Sequence, residues 1–448
     1  MATETRLMPD LLITNGTVLT MEPGSPPLPQ GAVAVKGNTI VAVGPAAEVE
    51  VSATTVIDAG GGLILPGLVN THTHLAMVLL RGLADDLPLK EWLEHHIWPA
   101  EKAVMSQEVV RLGTLWAAVE SLKAGVTCVC DMYFHAPTVA EALVEAGLRA
   151  VVPESVIDFP TPSCPTPEHA LQRQRELCWE YRQHPLITPA VAAHAPYSVG
   201  AKNLVKAAEL AEEFDVPFLI HVAETRWEVE SFLKEKGLSP VQYLANLGVL
   251  SPRTVAAHCV HVSQEDIATL ADLGVGVATN PVSNLKLASG VAPLPQLLAQ
   301  GVKVGFGTDG AASNNTLDLL RDAQLAALLY KGITGDPTCM PAPVVAPLLS
   351  RGGADVLGLS AHIGTLSVGK RADIICMDLT EPHAVPTFDP MSHLIYAARA
   401  SDVRHVVVEG KLLLRNREVL SVDEAALRSE VQQLAAHIRK KVQKGGAL

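Results

Sequence analysis

Eight short apolar runs, separated by longer stretches of helical periodicity, constrain this chain more than any other feature. They cover Leu68–His74, Val126–Met132, Arg149–Ile157, Ile187–His194, Pro217–Glu224, Thr254–His261, Gly274–Asn280 and Val302–Asp309. The helical patterns between and after them include Gln107–Ala124, Ala201–Phe214, Gln264–Leu273 and Thr316–Tyr330. Alternation of β runs with helices implies a parallel sheet, and eight is the number of strands that closes a (β/α)8 barrel.

The chain ends have a different texture. Asp10–Met21, Gly31–Val43 and Thr54–Ile64 are short β patterns broken by Pro23-Gly24, Gly37-Asn38 and Gly60-Gly61-Gly62, an antiparallel signature. After about residue 362 the β pattern returns in Ile374–Leu379, Val403–Glu409 and Lys411–Leu414, followed by an amphipathic helix over Asp423–Val442. The expected architecture is therefore α/β: a TIM-like catalytic barrel over residues 65–362, beside a small β-sandwich domain built from both ends, residues 1–64 and 363–448. The Pro-rich stretch Phe159–Pro167 reads as a loop at the barrel mouth.

Composition narrows the function classes. The chain has 448 residues, 48% hydrophobic and 18% charged, which is globular and long enough for a large core. A net charge of -13 excludes a nucleic-acid backbone as the expected partner. Seven scattered cysteines, none in C-x-x-C spacing, indicate neither a disulfide framework nor a cysteine zinc site, and fit a reducing compartment. Met1–Arg6 has no signal pattern, and no apolar run reaches membrane-spanning length, so the expected location is cytoplasmic.

In a barrel the reactive groups sit at the C-terminal ends of the strands. Here those ends carry His72 and His74, then His194, His221 with Glu224, His258 with His261, Asn280, and Asp309. His72 and His74 share one face, because strand side chains alternate. His72, His74, His221 and Asp309 form a donor set for zinc or ferrous iron with room for a water, whose pKa such an ion lowers toward about 7. Glu224, three residues past His221, is placed to accept that water's proton and hand it to a substrate. His258 orients the water or polarises the substrate, and Asp309 takes a second proton. His261 reads as structural, and His95, His96, His169, His184, His383, His393 and His405 read as outside the site. Cys128 and Cys130 read as small buried strand residues, and the Pro-Cys-x-x-Cys signature of cytidine-deaminase zinc sites is absent.

Four segments together resemble the amidohydrolase superfamily: Gly67-Leu68-Val69-Asn70-Thr71-His72-Thr73-His74, His221-Val222-Ala223-Glu224, Ala257-His258-Cys259-Val260-His261, and Gly307–Asn315. With Arg81–Leu89 and Asn280–Leu287, the chain looks like the 5-methylthioadenosine/S-adenosylhomocysteine deaminase branch, over nearly its whole length. The resemblance implies one divalent ion, usually zinc, on His72, His74, His221 and Asp309. It implies Glu224 as proton shuttle to a purine ring nitrogen and His258 beside the attacking water. It further implies that Glu101 accepts hydrogen bonds from ribose hydroxyls, that His194 contacts substrate, and that the chain forms a homo-oligomer.

One departure stands out. Branch members that take S-adenosylhomocysteine place arginines for its carboxylate soon after the third strand. Here that stretch carries Glu154 and Asp158 and no base before Arg173. The expectation is an acidic wall, and a preference for methylthioadenosine or adenosine over S-adenosylhomocysteine. Rival readings are deamination of guanine or cytosine, a triazine-type hydrolase, two-metal cyclic-amide hydrolysis (for which no strand end offers the lysine), and a non-catalytic scaffold.

Overall fold

The computed structural model describes residues 8–49 and 52–444; the N-terminal Met1–Arg6 stretch lies outside them. Eight parallel strand positions ring the barrel: Leu68–Thr73, Val126–Asp131, Arg149–Val152 with Ser155–Val156, Ile187–Pro189 with Val191–Ala193, Phe218–Val222, Thr254–His258, Gly276–Thr279 and Lys303–Phe306. One buried cluster of small side chains takes Val69, Cys128, Cys130, Val151, Ala192, Leu219, Val255 and Ala278 from seven successive strands. Only the inside of a closed ring brings seven strands to one cluster. The seam between the last and first strands is sewn by Asn70, whose amide donates to Thr308 Oγ1 (2.8 Å) and accepts from the Thr308 N–H (3.1 Å). The Asp309 N–H donates to the His72 carbonyl (2.9 Å).

Where the strands differ from the sequence expectation, the backbone gives the reason. The third is split at Pro153, which has no N–H to give the ladder. The fifth and sixth stop short because Ala223 (φ 50°) and His258 (φ 74°) turn into the left-handed region, and the eighth ends at Phe306, ahead of a left-handed Asp309 (φ 61°). Glu224, His261 and Asp309, expected in strands, thus stand on the loops that follow, while His72, His221 and His258 remain in strands. The helix expected from Thr316 begins at Leu319, where the Asp318 carboxylate accepts the Leu320 and Arg321 N–H groups (3.0 and 3.4 Å) and caps it.

Leu89–Val104 forms one helical segment over the mouth, with a π turn at Trp92–Ile97. Pro99 accounts for it. Proline offers no N–H to the carbonyl four residues back and its ring crowds that group; widening the preceding turn, so that Trp98 N–H bonds Leu93, relieves both.

The chain-end strands form a single nine-stranded sheet. Gly31–Val43 and Thr54–Ile64 each divide at their glycines, giving Leu28–Lys36, Thr39–Pro45, Thr55–Asp58 and Leu63–Pro66 beside Leu11–Val18. Leu63–Pro66 lies at the centre, parallel to Leu11–Val18 and antiparallel to Ile374–Met377. Val403–Val408, Lys411–Arg415 and Glu418–Val419 extend the sheet. It folds on itself to make the sandwich: Ile13, Val33, Ile40, Ile64, Ile374 and Val407 meet in one core. Gly67 alone separates this sheet from the first barrel strand, and a Cβ there would lie 2.0 Å from Thr127 Oγ1.

Arg149 ties the two sheets together. It donates to Asp373 through Nε (2.7 Å) and Nη2 (3.1 Å), to the Pro185 carbonyl (2.9 Å), and pairs with Glu409. The final helix runs Glu424–Lys444, with Asp423 accepting the Ala425 and Ala426 N–H groups. All seven cysteines are free, and no helix among the described residues is long and apolar enough to cross a membrane.

Candidate functional site

The strand ends bring five expected residues to one point. His74 Nε2 lies 3.1 Å and His72 Nε2 3.6 Å from Asp309 Oδ1. The candidate ligand atoms of His72, His74 and Asp309 lie within 4.8 Å of one another, and so do those of His72, His221 and His258. His72 is the hub, with ring centroids 4.8 Å from His74, 4.8 Å from His221 and 5.5 Å from His258.

The tautomers follow from the partners. His74 Nδ1–H donates to the Met132 carbonyl (2.6 Å) and His221 Nδ1–H to the His194 carbonyl (2.6 Å). A carbonyl only accepts, so each Nδ1 holds a proton, and in the neutral ring each Nε2 presents a bare lone pair. His72 Nε2 is buried with no hydrogen-bond partner. An orphaned buried nitrogen is costly unless something else satisfies it, and here its neighbours are other lone pairs and a carboxylate. That donor set fits a divalent cation.

Protonation agrees. Burial pushes His72 down to about 4 and His221 well below the usual imidazole range. Burial pushes His194, among the other imidazoles, to about 3. His74 is the exception: against the effect of burial, its bond to Asp309 raises it to about 9. Asp309 is held well below the carboxylate range, burial being outweighed by His72 and His74. Its other oxygen, Oδ2, accepts from Ser283 Oγ (2.6 Å) and Ser313 Oγ (2.8 Å), which leaves Oδ1 facing the imidazoles.

Glu224 stands beside this cluster, 4% exposed, its Oε2 3.7 Å from His258 Nε2. Burial raises its pKa, so the carboxyl is suited to holding and releasing a proton. His258 Nδ1–H donates to Asn284 Oδ1 (2.8 Å), which turns Nε2 toward Glu224. Two N–H groups, of Ala223 and Glu224, donate to the carboxylate of buried Glu228 (3.0 and 2.9 Å).

The cluster ends a cleft walled by Met77, Leu89, Trp92, Leu93, Trp98, Tyr133, Phe134, Ile157 and Tyr197, with Glu101, His194, Glu224 and His258 as its polar groups. Aromatic and aliphatic walls with a few convergent polar groups suit a planar, partly polar molecule. Glu101, which follows the π turn, is 3% exposed and accepts from the Tyr133 hydroxyl (2.6 Å). Burial raises its pKa to about 7. His194 Nδ1 bonds Ser198 Oγ at 2.7 Å. His261 donates from Nε2 to the Ser289 carbonyl (2.6 Å), a structural contact, and none of the seven histidines read as outside the site lines the cleft.

The acidic wall takes a different form. Glu154 does not line the cleft. It is fully buried, accepting from the Ala136 N–H (2.9 Å) and from Ser163 Oγ, because the break at Pro153 turns it away from the mouth. Asp158 does line an outer chamber, with Lys90, Glu94, Phe159 and Trp227, while it also accepts from the Gly200 N–H and Asn203 Nδ2 (2.7 Å each). The charged side chains of that chamber are one lysine and two acids.

Ser283, Ser313, Asn284, Tyr133 and Glu228 are the residues the sequence reading left unassigned. Ser283, Asn284 and Ser313 lie inside the motifs already quoted. Thr225-x-x-Glu228 has the pattern of a helix start, and that pattern conceals the second use of Glu228.

Residues 63–413 match the Amidohydrolase family. The chain is 46% identical over 432 residues, 96% of its length and 98% of the relative's, to a 5-methylthioadenosine/S-adenosylhomocysteine deaminase of Syntrophobacter fumaroxidans. It is 40% identical, over 96% of its length and 99% of the relative's, to a 5'-deoxyadenosine deaminase of Methanosarcina acetivorans. The crystal structure of an adenosine deaminase from Xanthomonas campestris with bound zinc superimposes with a TM-score of 0.94 at 40% identity, covering 96% of this chain and 99% of that one.

Proposed function

This chain belongs to the amidohydrolase family, and from that premise we propose that it is a metal-dependent aminohydrolase acting on adenosine-type nucleosides. The observation that carries the reading is Glu224, 3.7 Å from His258 at the blind end of an aromatic cleft, beside imidazoles whose lone pairs converge with Asp309. His72, His74, His221 and Asp309 hold one divalent ion, for which the zinc-bound relative favours zinc. When bound, such an ion supplies an acidified water.

The chain's own residues do the rest. Glu224 accepts one proton from the attacking water. The water oxygen adds to C6 of the adenine ring, while Glu224 protonates N1. His258, turned by Asn284, steadies the oxygen that has added. Asp309, its Oδ2 held by Ser283 and Ser313, takes the remaining proton from the added oxygen and delivers it to the amino group, so that the C6–N bond breaks and ammonia leaves a hypoxanthine nucleoside. Water in and ammonia out balance the reaction. His194 contacts the substrate, and Glu101, whose Oε1 accepts from the Tyr133 hydroxyl, accepts from the ribose diol.

Methylthioadenosine is the preferred substrate, with adenosine and S-adenosylhomocysteine also within reach. The support is the outer chamber: Trp98, Phe159, Tyr197 and Trp227 suit a methylthio group, and a carboxylate there meets Asp158 and Glu94 against Lys90 alone. The barrel of the expected 65–362 segment, whose first strand begins at Leu68, carries the chemistry, and the small domain takes Leu63–Pro66 together with the described residues of 1–64 and 363–448.

The test is ammonia release and the ultraviolet shift from adenine to hypoxanthine, with zinc-loaded protein and methylthioadenosine, adenosine, S-adenosylhomocysteine, guanine and cytosine in parallel. Methylthioadenosine turnover, lost on chelation and restored by zinc, is expected. Turnover of guanine or cytosine alone overturns the substrate, and equal rates on S-adenosylhomocysteine overturn the ranking.

A further inference from the structure

We propose that Glu228 is a positioning residue for the deamination: its carboxylate, by accepting the N–H groups of Ala223 and Glu224, fixes the turn that aims Glu224 at the substrate. This rests on the deaminase reading, since Glu228 acts only through Glu224.

Ala223 sits at φ 50°, a conformation costly for a residue with a side chain and held only where its surroundings impose it. Three hydrogen bonds impose it here. The Ala223 carbonyl accepts from the His261 N–H (2.9 Å). Its own N–H reaches Glu228 Oε1 (3.0 Å), and the next N–H, that of Glu224, reaches Oε2 (2.9 Å). The two peptide planes that flank Ala223 are thereby both fixed, and with them the direction in which the Glu224 side chain leaves the backbone.

The helix start alone does not account for this arrangement. Thr225 caps Arg226–Lys236 by accepting the Glu228 N–H (3.2 Å), which is what a T-x-x-E pattern is expected to provide. The Glu228 carboxylate reaches back past the cap to the two residues before it. It is 1% exposed, has no cation paired with it among the described residues, and does not line the cleft. A buried carboxyl is retained at a cost, and the catalytic turn is what it holds. Glutamine cannot reproduce the contact: its amide offers one accepting oxygen and an NH2 that meets the second N–H donor to donor.

The test compares Glu228→Gln with Thr225→Ala in zinc-loaded protein. Thr225→Ala removes the cap of the same helix and leaves both bonds to Glu228. For Glu228→Gln, kcat is expected to fall about 10- to 100-fold, the scale of a misplaced catalytic group, with KM within about twofold of wild type. Affinity for a nucleoside analogue bearing a tetrahedral, hydroxyl-carrying carbon in place of C6 should fall by the same factor as kcat/KM. The inosine-type product should bind with wild-type affinity and full stoichiometry, and zinc content should be unchanged. Thr225→Ala should lower the thermal midpoint while keeping kcat within about threefold. Wild-type kcat in Glu228→Gln, an equal kcat loss in Thr225→Ala at matched stability, or weakened product binding overturns the proposal alone. A wild-type protein inactive on every adenosine nucleoside overturns the deaminase reading and this proposal with it.

Discussion

Replacing Arg149 with methionine should destabilise the protein by about 3 kcal/mol, the lower end of the range for removing one partner of a buried ion pair. The side chains of Arg149, Asp373 and Glu409 are 9%, 2% and 9% exposed. Methionine keeps an apolar stem of similar length, so little of the loss comes from a cavity. What remains is two carboxylates with less to satisfy them. Asp373 still accepts the Glu409 N–H at 2.8 Å, and Glu409 still has the half-exposed Arg371 at 3.2 Å. Those residual contacts place the expectation near the bottom of the range. Urea unfolding of the metal-loaded protein at neutral pH measures it, with Arg149→Met/Asp373→Asn as the double variant. Neutralising Asp373 removes one uncompensated charge, so the double variant should be more stable than Arg149→Met alone. A loss below about 1 kcal/mol, the value of an exposed pair, or a double variant less stable than the single one, would refute the reasoning.

Other perturbations separate the roles assigned to the cleft and the small sheet. Glu224→Gln should lower kcat/KM by about 10²- to 10⁴-fold, the contribution of a general acid–base group, while leaving the affinity for product within a few-fold; an equal loss of product affinity would point to collapse of the pocket instead. Glu101→Gln should cost about 10- to 100-fold in kcat/KM for a ribonucleoside, from the loss of charge-assisted bonds of roughly 1.5–3 kcal/mol, and much less for a 2',3'-dideoxynucleoside; equal losses on both would remove Glu101 from the sugar. Glu22 is held below the carboxylate range by Ser367 and Thr365. Its depressed pKa contributes stability that is present above pH 4.5 and lost as pH falls further, so Glu22→Gln should flatten the fall in thermal midpoint over the acid range, and an unchanged slope would dismiss that contact.

The barrel was legible because its strands are uniformly apolar and its ligand-type residues repeat at their ends. Histidines two apart at His72 and His74, and a carboxylate closing the eighth run, converge on a metal site and on little else. The residues that set the ligands' orientation were not legible, for a physical reason. Ser283 and Ser313 meet on one oxygen of Asp309 from a short helix and a loop, a coincidence in space that no spacing encodes. Glu154 shows the opposite error. Its charge and its place after a strand suggested a wall, but Pro153 interrupts the ladder and the carboxylate turns inward to Ala136 and Ser163. The left-handed turns at Ala223, His258 and Asp309 were also hidden, since none is a glycine and local preference alone would keep each in its strand.

The central place of Leu63–Pro66 in the small sheet bears on how the chain is made. Its antiparallel partner, Ile374–Met377, lies roughly three hundred residues further along. At ordinary translation rates that interval takes on the order of 15–60 s. For that time the first five strands are outside the ribosome with an open edge where Ile374–Met377 will dock, and an unpaired edge is a site for pairing with other chains. The barrel can begin to assemble during synthesis, but this sheet is completed only near its end. Crowding of nascent chains on one message, or a pause in translating the second half, should therefore reduce the yield of folded protein more than a slow start does.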